Sequence, residues 1–240
     1  MNTPERNEKM LFYDTLAKSW DSVADQHEVG KRLRLIFGRL LKKSDVLGKR
    51  VLDAGAGTGY FSKVLMDWGA KLVSMDIGPN LLEEIRKKCA SRTILGSLLK
   101  MPFDDGSFEL VLCTEAIEHT TDPRRAVSEL CRVTGPGGVL LITVPNRVWR
   151  PAILAARALR LKPHDGYENW VWYSQLADWV RSEGLNIEHQ SGFNLLPHFL
   201  FCKPAYERLD DVAWLHPFMI NIALKARKPQ QPHSKTARVR

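Results

Sequence analysis

The fold is decided by residues 51–59, which read Val-Leu-Asp-Ala-Gly-Ala-Gly-Thr-Gly. An apolar run leads into three closely spaced glycines, and a helical pattern begins directly afterwards at Tyr60. Glycine lets the main chain turn tightly and lets a ligand approach the backbone without meeting a Cβ atom. The stretch therefore predicts a strand, a ligand-binding turn and a helix, in that order.

Two features of this turn indicate which ligand it binds. A dinucleotide site has the spacing G-x-G-x-x-G, and Tyr60 stands where its third glycine is required. Asp53, at the end of the strand, would repel a pyrophosphate. A positively charged amino-acid end suits the turn better, and we expect Asp53 to balance its ammonium group, directly or through water.

A second acidic residue, Asp76, ends the next predicted strand, about 20 residues beyond the glycines. A carboxylate in this place accepts hydrogen bonds from both ribose hydroxyls of an adenosine. S-adenosylmethionine combines an adenosine with an ammonium group and has no phosphate. The pair of acidic residues with the glycine turn therefore predicts this compound as the cofactor.

The rest of the chain alternates short apolar runs with helical patterns, which predicts an α/β protein with a parallel sheet. Residues 1–48 read as helical. The four residues 135–138, Gly-Pro-Gly-Gly, are predicted to end a helix and turn into a strand. The predicted strands are 50–54, 72–76, 93–95, 108–113, 139–144, 186–190 and 218–226, and the predicted helices are 60–68, 81–89, 123–133 and 174–183.

These motifs together resemble those of the class I S-adenosylmethionine-dependent methyltransferases over residues 50–146. Residues 53–59 resemble the first motif of that family, and Asp76 resembles its ribose-binding acid. Residues 99–109 and the strand that follows 135–138 resemble two further motifs. The resemblance implies a Rossmann-like three-layer sandwich, with a seven-stranded, mostly parallel sheet whose last strand is antiparallel.

The resemblance also implies the set of residues that bind the cofactor. Many relatives have an aspartate where this chain has Ser97, and that aspartate holds the adenine amino group. We expect the Ser97 hydroxyl and the Leu98 N–H to bond the adenine ring instead. The predicted cofactor residues are Asp53, Ala54, Gly55, Gly57, Gly59, Asp76, Ile77, Ser97, Leu98 and Glu115.

Residues 114–119, Thr-Glu-Ala-Ile-Glu-His, follow a predicted strand and resemble the E-x-x-E-H segment of the ubiquinone and menaquinone O-methyltransferase branch. A hydroxyl nucleophile must lose a proton, and histidine suits that task. We predict His119 as the general base, oriented by Glu118 or Glu115. The alternative is that Glu118 and His119 only pack under a loop. A divalent metal on these three residues stays open, and none is predicted.

Two insertions are expected to contribute to the acceptor site, at residues 147–173 and 193–217. Residues 163–173 are rich in aromatic and polar side chains, which is typical of a pocket wall. The resemblance makes His164 a second acid–base candidate. The insertion at 193–217 is too long for a hairpin turn and predicts a lid or docking element.

The N-terminal residues 12–21 resemble a lid segment of the same branch. We expect Tyr13 and Trp20 to cover the cofactor or to pack in the core. The predicted organisation is an N-terminal helical lid at 1–48, a methyltransferase domain at 49–228 and a basic flexible tail at 229–240.

Charge and composition argue against several other classes of protein. The formal net charge is +8, and six basic residues but no acidic ones lie between Lys225 and Arg240. A solvated terminus explains them better than binding to nucleic acid or anionic lipid. The first ten residues lack the apolar pattern of a signal peptide, and no apolar run reaches about 20 residues, so a cytoplasmic protein is expected. The four cysteines form no C-x-x-C pair, which disfavours a zinc site or a disulfide framework.

The leading hypothesis is therefore methyl transfer from S-adenosylmethionine to a hydroxyl of a small molecule: an aromatic, quinone-like, lipid or natural-product intermediate. Methylation of carbon or nitrogen is the alternative. Nucleic-acid methylation is disfavoured because the chain has no Asn/Asp-Pro-Pro-Tyr/Phe motif and no basic stripe outside the tail. The cofactor motif argues against a non-catalytic partner subunit. Contact with a lipid surface and the oligomeric state stay open.

Overall fold

Seven strands form a single sheet in the computed structural model, which describes residues 11–23, 26–152, 154, 168–195 and 208–230. The strand order is β3-β2-β1-β4-β5-β7-β6, and β7 runs antiparallel to both of its neighbours. The predicted Rossmann-like sheet with an antiparallel last strand is confirmed. The strands are β1 (Arg50–Ala54), β2 (Lys71–Asp76), β3 (Arg92–Leu95), β4 (Phe108–Thr114), β5 (Thr134–Pro145), β6 (Asn186–Phe193) and β7 (Asn221–Arg227).

Helices cover both faces of the sheet. Helix α6 begins where predicted, because Pro123 takes the first helical position and the Asp122 carboxylate accepts a 3.0 Å hydrogen bond from the Arg125 N–H. The helices are α1 (Phe12–Thr15), α2 (Ala17–Val23), α3 (Gln26–Leu35), α4 (Tyr60–Asp67), α5 (Pro79–Lys88), α6 (Pro123–Val133) and α7 (Tyr173–Ser182). A π-helical turn, Ile36–Leu40, continues α3.

The core consists of two apolar layers, one on each face of the sheet. In β1, Leu52 and Ala54 pack into one layer while Val51 packs into the other. Because successive side chains of a strand point to opposite faces, both layers draw on the same strands. Helices α6 and α7 cover the first layer, and α4 with the Ile36–Leu40 turn covers the second. This three-layer arrangement leaves the carboxyl ends of the strands open at one edge.

Two predicted boundaries near β5 and β7 were wrong. Strand β5 begins at Thr134, so residues 135–138 lie within it: the Gly137 N–H donates to the Lys228 carbonyl, and the Lys228 N–H donates to the Gly138 carbonyl. The glycines form an irregular part of the ladder rather than a turn before it. Strand β7 begins at Asn221 rather than at 218, because residues Ala213–Phe218 form a 3-10 helix that contains Pro217.

Half of the basic residues that were assigned to the solvated terminus have fixed partners. Lys225 donates a 2.9 Å hydrogen bond to the Leu40 carbonyl, and Arg227 pairs with Glu188. Lys228 Nζ donates to the carbonyls of Cys131 and Thr134. The interpretation of a purely solvated basic end was therefore wrong up to residue 228, since these side chains hold β7 against its neighbours. The flexible tail stays a prediction, and residues 231–240 lie outside the described ranges.

Along the described parts of the chain, no helix combines the length and the apolar character that a bilayer-spanning segment needs.

Candidate active site

A cavity of about 450 Å³ opens at the carboxyl ends of the strands. Its walls come from residues at or just after the ends of β1, β2, β3, β4 and β5, together with parts of the N-terminal segment. This is the edge at which open α/β sheets bind their ligands. The cavity contains most of the residues that the sequence singled out.

The glycine turn forms one side of the cavity, and all three glycines have positive φ angles. A Cβ atom on Gly55 would lie 2.4 Å from that of Ala116, so this position is closed to any other residue. A Cβ atom on Gly57 would meet nothing within 4 Å, because this glycine faces the open cavity. Gly59 begins α4 and touches Ile85 of α5 rather than the cavity. The turn thus leaves room for a ligand at Gly57.

Asp76 reaches the cavity from the end of β2. Its Oδ2 accepts a 2.9 Å hydrogen bond from the Gly57 N–H, and its Oδ1 accepts a 3.0 Å bond from the Gly78 N–H. Burial raises the pKa of this carboxyl to about 6, although the backbone donors oppose the increase. Each carboxylate oxygen has a further lone pair for an outside donor. The arrangement fits an adenosine ribose.

Asp53 lies beneath the glycine turn and does not line the cavity. Its Oδ2 accepts a 2.6 Å hydrogen bond from Ser62 of α4, and its Oδ1 has no hydrogen-bond partner in the parts of the chain that the structure describes. Burial raises the pKa of Asp53 to about 7, the Ser62 bond lowers it, and the nearby Asp76 charge adds to the increase. Asp53 is therefore separated from the cavity by the glycine turn.

The segment after β4 provides the acid–base groups of the cavity. Glu115 has a φ angle of 49°, which is rare for a residue with a side chain, and its Oε2 accepts a 2.9 Å hydrogen bond from Asn221. Glu118 is fully buried, and burial raises its pKa well above the ordinary value; the neighbouring Glu115 adds to the increase. The structure therefore brings Glu115 and Glu118 together in one wall.

His119 lies beside Glu118 in the same wall. Its Nε2 is 3.7 Å from Glu118 Oε1, and its ring packs 4.5 Å from the Tyr13 ring. The Asn169 side chain donates to the Thr120 carbonyl, and its N–H donates to the Glu118 carbonyl. These bonds hold the turn that contains His119 in place.

Several predicted residues lie elsewhere. Ala54 and Ser97 do not line the cavity, and the Ser97 hydroxyl accepts a bond from the Leu99 N–H instead. Gly96 and Leu98 do line it, as does Ile77. His164 falls outside the described residues, as does the side chain of Trp20.

Sequence reasoning missed part of the cavity wall. Glu28, Val29 and Arg32 of α3 line it. Glu28 and Arg32 are four residues apart, which looks like an ordinary ion-pair arrangement on a solvated helix. The spacing therefore did not indicate that they line a cavity. Glu168 and Trp170 also line the cavity and belong to the aromatic segment that predicted a pocket wall. Among the residues with described positions, no three or more His, Cys, Asp or Glu side chains form a group suited to a metal ion.

Comparison with known proteins agrees with this geometry. Residues 52–142 match the family model described as a methyltransferase domain. The chain is 30% identical over 174 residues to the ubiquinone biosynthesis O-methyltransferase of Xanthomonas oryzae pv. oryzae, which covers 67% of this chain and 71% of that relative. It is 33% identical over 133 residues to the malonyl-[acyl-carrier protein] O-methyltransferase of Serratia marcescens, which covers 55% of this chain and only 50% of the relative.

The fold has solved counterparts. One is a methyltransferase of Haloferax volcanii, determined in complex with the methyltransferase activator Trm112. It superposes with a TM-score of 0.67 at 19% identity and covers 94% of this chain and 99% of its own. At that identity the likeness shows the fold alone. With the family model and the 30% identical relative, it leads to one conclusion: the chain belongs to the class I S-adenosylmethionine-dependent methyltransferases, in the branch that contains the ubiquinone and malonyl-carrier O-methyltransferases.

Proposed function

We propose that this enzyme transfers the methyl group of S-adenosylmethionine to a hydroxyl of a small molecule, such as an aromatic or quinone-like compound, a lipid or a natural-product intermediate. The observation that carries the proposal is the position of His119 beside the buried Glu118, in the same cavity as the glycine turn and Asp76. The two relatives described above are both named O-methyltransferases, which favours oxygen as the accepting atom.

The cofactor would be held by groups already in place. Asp76 would accept the ribose hydroxyls, and the main chain at Gly55 and Gly57 would lie against the methionine portion. Ile77 and Leu98 would enclose the adenine, with the Leu98 N–H near a ring nitrogen. Asp53, buried behind the turn, would favour the ammonium end electrostatically. When bound, S-adenosylmethionine supplies an activated methyl group and leaves as S-adenosylhomocysteine.

The protein's own chemical task is to orient the acceptor and remove its proton. As the acceptor oxygen bonds to the methyl carbon, its hydroxyl proton would pass to His119. The imidazolium so formed would lie 3.7 Å from Glu118 and would favour the ionised form of that carboxyl. The Glu115 carboxylate, in the same wall of the cavity, would add to the electrostatic influence on His119 and Glu118. Outside the described residues, His164 stays the second acid–base candidate.

The N-terminal segment would serve as the lid over this site. Tyr13 and Asp14, and Glu28, Val29 and Arg32 of α3, all line the cavity. Asp14 accepts hydrogen bonds from the N–H groups of Asn80 and Leu81 at the start of α5, so the segment is fastened across the cofactor side. We thus retain 1–48 as a lid, 49–228 as the catalytic domain with insertions at 147–173 and 193–217, and 229–240 as a tail.

Methylation of an amine is a second candidate, and the charge of the cavity favours it. Four glutamates line the walls, at positions 28, 115, 118 and 168, whereas Arg32 is the one guanidinium there among the described residues. A surplus of carboxylates attracts a cationic acceptor. An amine in its neutral form needs no strong general base at His119, so the two functions differ in their dependence on that residue.

Radiolabelled methyl transfer to two probe acceptors tests the proposal, with 4-methylcatechol for the hydroxyl reaction and benzylamine for the amine reaction. We expect transfer to the catechol, strongly reduced in His119→Ala. Transfer to benzylamine alone, unchanged in His119→Ala, would replace the proposal by the second candidate. Failure of both probes with normal S-adenosylhomocysteine binding would contradict an aromatic hydroxyl acceptor.

A further inference from the structure

Asn221 connects two positions of the described chain that have unusual main-chain φ angles. Glu115 and Asn194 are the two non-glycine residues with positive φ angles in those ranges, at 49° and 62°. Asn194 Nδ2 donates to Asn221 Oδ1 at 3.2 Å, and Asn221 Nδ2 donates to Glu115 Oε2 at 2.9 Å. Backbone strain of this kind persists where surrounding contacts over-determine it, and it is concentrated at functional sites.

The other end of this connection lies in α3. Asn194 Nδ2 also donates to Glu28 Oε2 at 2.5 Å. The Asn194 N–H donates to Asp210 Oδ1 at 3.1 Å, and Asp210 Oδ2 forms an ion pair of 2.5 Å with Lys31 in the next turn of α3. Helix α3 is thus held at two points, by Asn194 and by Asp210, which are hydrogen-bonded to each other.

Asn194 and Asn221 form a buried bridge, whereas the two glutamates at its ends line the cavity. Asn194 is 2% and Asn221 is 7% exposed, and neither lines the cavity. Glu28 and Glu115 both do. A carboxylate only accepts hydrogen bonds, so each amide group directs its NH₂ toward an acidic end. A reversed Asn221 amide would bring two oxygens together at Glu115, which fixes a single arrangement.

We propose that Asn194 and Asn221 are positioning residues that couple the placement of α3 over the cavity to the placement of the Glu115 carboxylate within it. Glu28 and Glu115 lie at opposite ends of the bridge, so a change at one end alters the support of the other. The inference rests on the proposed function in that it assigns this cavity to the cofactor and acceptor. It concerns residues to which the motifs give no role.

Hydrogen exchange of the α3 amides tests the coupling without any acceptor. The parent protein with S-adenosylhomocysteine is compared with Glu115→Ala, which breaks the bridge at the end remote from α3. We expect exchange in α3 to rise about three- to tenfold relative to exchange in α6, as follows from the loss of one or two hydrogen bonds. Asn221→Ala and Asn194→Ala should have the same effect.

A conservative variant and a matched control separate coupling from general damage. Glu115→Gln keeps an oxygen that accepts from Asn221, so it should restore protection of α3. Asn146→Ala removes a buried asparagine whose side chain donates to the carbonyls of Pro217 and Met219 rather than to Glu28 or Glu115. It should lower thermal stability while leaving the ratio of α3 to α6 exchange unchanged.

The proposal is overturned if Glu115→Ala leaves α3 exchange as in the parent protein, or if Asn146→Ala raises it equally. Because these readouts use only S-adenosylhomocysteine, they are independent of the acceptor assay. A failed acceptor assay with the expected exchange pattern would overturn the proposed function and keep the coupling.

Discussion

The main-chain N–H of Gly57 donates a 2.9 Å hydrogen bond to Asp76 Oδ2, which joins the glycine turn to the acid at the end of β2. The turn contributes open space, and the acid contributes two fixed oxygens beside it. Because of this contact, the affinity for the cofactor should depend on both Asp76 and Gly57.

The Asp76 carboxylate should be essential for binding the adenosyl group. Asp76→Asn replaces one acceptor oxygen by a donor that meets the Gly57 or Gly78 N–H. We expect S-adenosylhomocysteine affinity, measured by calorimetry, to fall by about 10- to 100-fold, since a hydrogen bond to a charged group contributes about 1.5–3 kcal/mol. Asp67→Asn, on the exposed side of α4, is the matched control and should bind normally.

The same affinity should depend on pH. The pKa of Asp76 is raised to about 6, so the acceptor form is populated above that pH and is lost as the pH falls through it. Affinity for S-adenosylhomocysteine should therefore decrease between pH 7 and pH 5 in the parent protein and change less in Asp76→Asn. Equal slopes for the two proteins would show that another group controls binding.

Gly57 should be required for the ligand rather than for the fold. Gly57→Ala places a methyl group in open cavity space, so cofactor affinity should fall at least tenfold, while the strain of the positive φ angle should lower the melting temperature only as much as in Gly184→Ala. Gly184→Ala is a close control, because Gly184 also has a positive φ angle and no atom within 4 Å of its Cβ position, but it lies after α7. Equal effects on affinity in both variants would assign the loss to backbone strain alone.

His119 should contribute to turnover and not to cofactor binding. His119→Ala is expected to reduce methyl transfer to 4-methylcatechol by roughly 10²–10⁴-fold, the usual contribution of general acid–base catalysis. S-adenosylhomocysteine affinity should stay nearly unchanged. His189→Ala, in β6 and outside the cavity, should have near-normal turnover. Near-normal turnover of His119→Ala would remove this residue from the mechanism.

Asp53 should make the protein less stable as the pH rises. Its pKa in the folded chain is about 7, against 3.8 for an ordinary aspartate, so the folded state holds the proton more tightly than the unfolded state. The stability that this group contributes is present below about pH 4 and is lost as the pH rises to about 7. The melting temperature of the parent protein should therefore decline over this window relative to Asp53→Asn, by about 2–4 °C for each kcal/mol. Parallel curves would contradict the shift.

Among the basic C-terminal residues, Lys228 should stabilise the fold, whereas those within 229–240 should be dispensable for activity. Deletion of 229–240 should leave catechol methylation and its salt dependence unchanged, whereas a nucleic-acid binder would lose affinity and salt dependence. Lys228→Ala should lower the free energy of unfolding by about 1–3 kcal/mol, because the ammonium group bonds the carbonyls of Cys131 and Thr134. Loss of activity on deletion would give the tail a functional role.

The sequence predicted the elements that depend on local signals. The apolar run in β1 and the Asp122-Pro123 start of α6 determine their bounds within a few residues, so those predictions were confirmed. The start of β7 was wrong because Phe218 looks like a strand residue while Pro217 keeps it in a 3-10 helix. That choice depends on tertiary contacts, such as the bond from Trp149 to the Phe218 carbonyl.

The candidate site was predicted where residues lie close in sequence and missed where distant segments meet. Gly57, Asp76 and His119 follow strands of the same sheet, so their convergence follows from topology. Asn194 and Asn221 are joined to Glu28 across more than 160 residues of chain, and no local pattern marks them. Asp53 was placed correctly in the strand, but its hydrogen bond with Ser62 of α4 was not predicted.

The central claim is that the glycine turn and Asp76 seat the adenosyl compound and not a pyrophosphate ligand. Calorimetric titration of the parent protein with S-adenosylhomocysteine, followed by NAD in a separate experiment, tests it most directly. The account predicts one site for S-adenosylhomocysteine, weakened in Asp76→Asn, and no saturable heat with NAD. Saturable binding of NAD, with no binding of S-adenosylhomocysteine, would contradict it.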